Sequence, residues 1–126
     1  IEHVSDPVCA LDQMVRCLHS NGTLIISTPN RLLNSPKKPH WAKPDNPYHV
    51  KEFMRNEFLC LLKNRFNHIE FFGQCIFWCR WLAPIMAKRI RSQVEDWYLE
   101  PEKCIVRRVR FYEEPFYFIF VCRAKK

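Results

Sequence analysis

Only two glycines, Gly22 and Gly73, stand among the 126 residues of this chain. A loop that cradles a phosphate or a dinucleotide needs several, because glycine alone lets backbone N–H groups come close enough to the ligand. No such loop can be built here. The chain instead carries apolar material: 48% of its residues are hydrophobic, ten of them Phe and four Trp. That suffices for a packed core, and the length is that of one domain.

Several classes of protein fit poorly. No run of 18 uncharged apolar residues is present, so no transmembrane helix is expected. The opening Ile1-Glu2-His3-Val4 has neither a basic region nor an apolar stretch of the secretory kind. Seven cysteines at irregular spacings predict reduced thiols in an intracellular, cytoplasmic protein. Cys75 and Cys79 lack a second pair at zinc-finger spacing and are expected to be small buried hydrophobes. The formal net charge is +7. Most of the basic residues are scattered, and the runs Lys88-Arg89-Ile90-Arg91 and Arg107-Arg108-Val109-Arg110 sit in no groove-reading motif. Solvated faces are the expectation, and no nucleic-acid partner.

Local patterns give an order of elements. Asp6-Pro7 starts a helix, with Asp as cap and Pro in the first turn. Val8, Leu11, Met14, Val15 and Leu18 then recur at helical spacing, and Asn21-Gly22 is expected to end the helix in a left-handed turn. Thr23 to Thr28 is a β-branched run stopped by Pro29-Asn30, which predicts a buried strand of the parallel, helix-covered kind. Residues 31–52, with Pro36, Pro39, Pro44 and Pro47, read as a long loop of the lid or binding type. A helix is predicted over 56–65 with Phe58, Leu61, Leu62 and Phe66 on one face. His68 to Phe72 reads as a strand ending near Gly73. Residues 76–99 read as helical, interrupted at Pro84, with Trp78, Trp81, Leu82, Ile85 and Ile90 as anchors. Pro115 to Cys122 is the clearest strand. The class is α/β.

Three segments together carry a resemblance. Glu2-His3-Val4-Ser5-Asp6-Pro7, then Leu24-Ile25-Ile26-Ser27-Thr28-Pro29-Asn30, then Asn46-Pro47-Tyr48-His49-Val50-Lys51-Glu52-Phe53 resemble consecutive stretches of class I S-adenosylmethionine-dependent methyltransferases. The branch is the one with quinone-biosynthesis, small-molecule and glycan-associated enzymes. Phe71-Phe72-Gly73-Gln74 fits the sixth strand of that family. The resemblance covers residues 1–74 and, loosely, the last strand. Residues 76–114 match nothing in it and are taken as a helical, aromatic and basic insert.

The resemblance implies a Rossmann-like sheet of strand order 3-2-1-4-5-7-6 with the last strand antiparallel. This chain would be the C-terminal part, supplying the fifth, sixth and seventh strands with helices D and E. The N-terminal half, with its Gly-rich loop and ribose-binding acid, would be missing, so the chain alone is expected to be inactive. Two departures stand out. The usual Pro-Gly-Gly turn is Ser20-Asn21-Gly22, with Asn expected in a left-handed position, and the usual Thr before helix E is absent, with Asn56 expected to cap instead.

Methyl transfer from a sulfonium is an in-line displacement that needs alignment, exclusion of water and sometimes a base. The resemblance puts Glu2 and His3 at the methyl-donor end of S-adenosylmethionine, as catalytic and cofactor-binding candidates. Alternatively they hydrogen-bond the start of the helix. The same pair is associated in the family with a divalent metal; with one stretch of such a site present, no metal is expected. His49 is the third catalytic candidate, or hydrogen-bonds backbone. Tyr48 contacts substrate or packs the loop, Asn30 lines the acceptor pocket or caps the turn, and Thr28 lies on the same rim. The acceptor is expected to be a small molecule methylated on O or C, with lipophilic and glycan-linked molecules both open. Residues 76–91 pack on the sheet, cover a hydrophobic acceptor or rest on a membrane surface. A non-catalytic module that binds a partner or membrane through this insert is the alternative.

Overall fold

The computed structural model describes residues 1–39, 41–97 and 101–126. Helix α1 spans Pro7–Cys17, and the Asp6 carboxylate accepts from the Cys9 N–H at 2.9 Å, as the sequence predicts. Strand β1 is Leu24–Pro29. A single helical turn α2, Arg31–Asn34, follows, and then helix α3, Arg55–Lys63. Strand β2 runs Phe66–Phe77, helix α4 Ala83–Trp97, β3 Arg107–Arg108 and β4 Glu114–Lys125.

The four strands form one sheet in the order β1-β4-β2-β3. The last strand is therefore central. It pairs antiparallel with β1, Leu24 opposite Cys122 and Pro29 opposite Tyr117, and antiparallel with β2, Phe66 opposite Lys125 and Phe77 opposite Glu114. Because β1 and β2 both oppose β4, their C-terminal ends lie at the same edge of the sheet, and the loops that leave them meet there.

Five expectations need correction. The ladder of β1 is antiparallel rather than parallel, and its residues alternate, with Ile26 and Thr28 buried while Ile25 is 68% exposed. Helix α1 ends at Cys17 because Leu18 already has an extended backbone (ψ 140°), so the chain turns before Asn21-Gly22 and neither of them has positive φ. Met54, not Asn56, is the N-cap of α3; the Glu57 carboxylate accepts from the Met54 N–H at 3.4 Å instead. Strand β2 does not stop at Gly73. It continues to Phe77, and Gly73 is needed inside it, since a Cβ there would come within 2.5 Å of Pro115 Cβ and 2.6 Å of Val109 Cγ2.

The fifth concerns 76–99, of which 98 and 99 lie outside the described residues. Helix α4 starts at Ala83, with Pro84 in its first turn, where the missing N–H costs nothing. Its buried stripe is Ala83, Ala87, Ile90 and Val94, while Trp78, Trp81, Leu82 and Ile85 are exposed. Ala83 and Ala87 let α4 approach α2 closely; of the predicted anchors Ile90 is buried, and the other four face away. No helix among the described residues is long and apolar enough to cross a membrane.

Candidate active site

Apart from an isolated parallel bridge between Asn30 and Phe53, the described residues of the loop between α2 and α3 pair with no strand, and a buried arginine satisfies two of its carbonyls instead. Arg31, 3% exposed, donates from Nη2 to the Pro39 carbonyl at 2.6 Å and to the Ala42 carbonyl at 2.9 Å. Ser35, at the end of α2, accepts from the Asp45 N–H at 2.8 Å and donates to Glu52 Oε2 at 2.7 Å. The far end of the loop is tied to the start of the chain, where the Glu2 carbonyl accepts from Val50 N–H at 2.8 Å and Lys51 N–H at 3.2 Å.

This bracing buries His49 (8% exposed) and Glu52 (0%) together. His49 Nδ1 lies 2.7 Å from Glu52 Oε1. A carboxylate only accepts, so the proton sits on Nδ1 and Nε2 keeps its lone pair. Asn46 fits that tautomer: its Oδ1 accepts from the Tyr48 N–H, which turns its Nδ2 toward His49 Nε2 at 3.1 Å. Ser35, Glu52 and His49 thus form a line of hydrogen bonds ending on an imidazole nitrogen that can accept.

His3 packs edge-on against His49 with ring centroids 4.9 Å apart. Its Nδ1 donates to the Tyr48 carbonyl at 2.9 Å, and its Nε2 lies 3.7 Å from Glu2 Oε1. The other oxygen of Glu2 accepts from Thr28 Oγ1 at 3.3 Å. One ligand atom from each of Glu2, His3 and His49 falls within 4.8 Å of the others, a donor set that could hold a metal ion.

The structure thus brings Glu2, His3, His49 and Thr28 into one cluster at the sheet edge. Tyr48 joins through its backbone only; its ring is 80% exposed and does not pack the loop. His49 bonds a carboxylate rather than backbone. Asn30 is 1% exposed, and the structure shows it capping the helical turn that follows β1. Its Oδ1 caps α2 at Leu32 N–H (3.0 Å), and its Nδ2 donates to Glu114 Oε1 and the Pro115 carbonyl, each at 2.8 Å. Glu52 lies within the resembling segment 46–53 but is absent from the candidates that the sequence suggests. Its position three residues after His49, between a Pro-rich loop and buried Phe53, was the available signal.

No family model matches the chain. Over 62 residues, 49% of its length, it is 37% identical to proteins named "Probable S-adenosylmethionine-dependent methyltransferase" from two strains of Mycobacterium tuberculosis. The chain covers 22% of the length of those relatives.

Proposed function

We propose that this chain is part of an S-adenosylmethionine-dependent methyltransferase in which His49, oriented by Glu52, removes a proton from the acceptor. The observation that carries the reading is the buried Ser35–Glu52–His49 line, which leaves Nε2 as a proton acceptor beside Glu2 and His3. The similarity to the mycobacterial methyltransferases supports the general class. The order β1-β4-β2, with β4 antiparallel to both neighbours, agrees with the fifth-seventh-sixth order expected of a Rossmann-like methyltransferase sheet and supports reading the chain as its C-terminal part.

S-adenosylmethionine, when bound, supplies an electrophilic methyl group on a sulfonium. A half-buried carboxylate suits that positive charge, and Glu2, fixed by Thr28, would face it with His3. His49 accepts the acceptor's hydroxyl proton at Nε2 in place of the Asn46 bond. The resulting imidazolium is stabilised by Glu52, which holds the ring in one tautomer as a positioning residue. Burial of His49 and Glu52 keeps water from competing. A small hydroxylated acceptor fits this chemistry best.

The donor set favours a second reading. Both imidazoles give Nδ1 to a carbonyl or carboxylate, the outer contact that orients metal-binding histidines. A divalent ion held by Glu2, His3 and His49 would act as a Lewis acid on the acceptor oxygen.

The test uses the complete protein that contains this chain, with methyl-labelled donor and the small-molecule fraction of a host extract. His49→Ala should lower the rate about 10²- to 10⁴-fold, the usual worth of a general base. Glu52→Gln should lower kcat with little change in KM and shift the pH profile. Transfer that is unaffected by His49→Ala sinks the base assignment. Loss of activity with chelator, restored by a divalent cation, selects the metal reading over it.

A further inference from the structure

A second polar pocket lies at the same sheet edge and takes no part in the proton relay. Asn30, Leu32, Met54, Arg55, Asn56, Arg80 and Glu114 line a cavity of about 100 Å³. Its residues come from the ends of β1, α3 and β4 and from the turn after β2. Arg55 is half-buried with its guanidinium carbon 5.3 Å from the centre of the Phe71 ring, a cation–π contact. It has no hydrogen-bond acceptor among the described residues. A guanidinium carries five N–H donors in a fork matched to two oxygens. Arg55 therefore lines the cavity with hydrogen-bond donors that no described residue uses.

Arg80 is only partly used. Its Nη1 donates to the Phe111 carbonyl at 3.3 Å and its Nε stands 3.8 Å from Glu114 Oε2, beyond hydrogen-bond range. The pocket also receives the first turn of α3, whose N-terminal end carries partial positive charge. Two guanidinium groups and a helix start thus face one carboxyl, Glu114, and the cavity has an excess of positive charge. Glu114 is 3% exposed, and its carboxyl is occupied by Asn30 at 2.8 Å.

We propose that this pocket binds an anionic oxygen group, a carboxylate or a phosphate, with Arg55 as its bidentate anchor and Arg80 as the second cation. Resting on the methyl-transfer reading, the group is the acidic end of the methyl acceptor, held beside Asn30 while its hydroxyl faces His49. Thr28 touches Glu2, and Asn30, two residues along, lines the anion pocket, so one short segment of chain serves both ends of such a molecule.

The test is a titration of the isotopically labelled complete protein that contains this chain with inorganic phosphate and, separately, with benzoate, following arginine side-chain and backbone N–H signals. Saturable shifts should appear at Arg55, Asn56 and Arg80. Arg55→Gln should weaken binding at least about tenfold, one strong charge-assisted pair by fold-change, and Arg55→Lys should restore part of it. Arg108→Gln, which removes exposed contacts to Glu70 and to the Phe72 ring, should leave binding intact. Glu114→Gln keeps an acceptor for Asn30 but removes the competing charge, and should tighten binding. Tighter phosphate binding identifies a phosphorylated ligand, tighter benzoate binding a carboxylate. Unsaturated shifts spread over all surface arginines, or equal affinity in a folded Arg55→Gln chain, overturn the proposal. The titration contains no methyl donor, so an anion bound without methyl transfer in the complete protein would sink the catalytic reading alone. His49-dependent transfer with no anion bound would sink the pocket alone.

Discussion

Phe116, Phe118 and Phe120 all belong to β4, yet they serve two different apolar clusters. Phe118 and Phe120 join Leu11, Ile26, Phe53, Phe58, Leu62, Phe66 and Cys122. Phe116 joins Leu33, Cys75, Phe77, Ala83, Ala87, Ile90 and Val94. The first cluster is built from large side chains, with Phe58 and Phe120 centroids 5.6 Å apart and Phe53 and Phe58 4.9 Å apart. The second depends on small residues that let α4 lie close to α2. In the first the elements are held apart by what fills the space between them; in the second they are brought together by what is absent.

Opposite substitutions should therefore hurt the two. Phe120→Ala empties the first cluster and should cost about 3–5 kcal/mol. Ala87→Leu overfills the second and should cost about 1–3 kcal/mol, by pushing α4 off α2. Urea denaturation with both variants gives the two values. Should Ala87→Leu prove neutral, α4 is loosely seated and the second cluster is not a tightly packed one. Should the two variants unfold in separate steps, the clusters are independent despite their common strand.

The same difference explains what could be read from the sequence. Helix α1 was legible because Asp6 and Pro7 mark its start, and β1 and β4 because β-branched and aromatic residues run without interruption. The cluster of Glu2, His3, Thr28 and His49 was legible because each lies in a segment that the family resemblance singles out. The position of α4 was not, since alanine signals no burial, and Trp78, Trp81 and Ile85 imitate the missing stripe while facing outward. Arg55, Arg80 and Glu114 come from three segments and share no spacing; only the sheet brings them together. The end of α1 was misread at Gly22 because a glycine permits a left-handed turn without requiring one.

Adjacent glutamates carry the contrast into electrostatics. Hydrogen bonds from Arg107, at 2.8 and 2.9 Å, hold the Glu113 carboxyl below its ordinary pKa range. Burial pushes the Glu114 carboxyl up, against the pull of Asn30, Arg55 and Arg80. Glu113 thus contributes stability that is present above the ordinary carboxyl pKa and lost as pH falls through its lowered value. The contribution of Glu114 is present below the ordinary value and lost as pH rises through its raised one. Thermal midpoints measured from about pH 3 to about pH 8 should separate them. Glu113→Gln should lower the midpoint at neutral pH and converge on the parent in acid. Glu114→Gln should match the parent in acid and exceed it at neutral pH. A Glu114→Gln chain that is less stable at neutral pH would mean that the Arg55 and Arg80 charges outweigh burial.

The smallest effect compares the clusters through their own thiols. Cys122 lies in the first, its pKa pushed up to about 11 by burial. Cys75 lies in the second, pushed up to about 12 by burial and by the Cys104 sulfur 3.5 Å away. Cys9, Cys17 and Cys60 are exposed. Iodoacetamide at about pH 8 attacks thiolates, so the three exposed cysteines should be alkylated first and the two buried ones only as their surroundings open. Thiolate chemistry alone would leave Cys75 as the slower of the buried pair. If peptide mapping finds Cys75 modified before Cys122, the order has been set by opening rather than by pKa, and the cluster that depends on small residues is the one that opens first. The reverse order, with both sites slow, would mean that close approach between α4 and α2 holds the second region as firmly as large side chains hold the first.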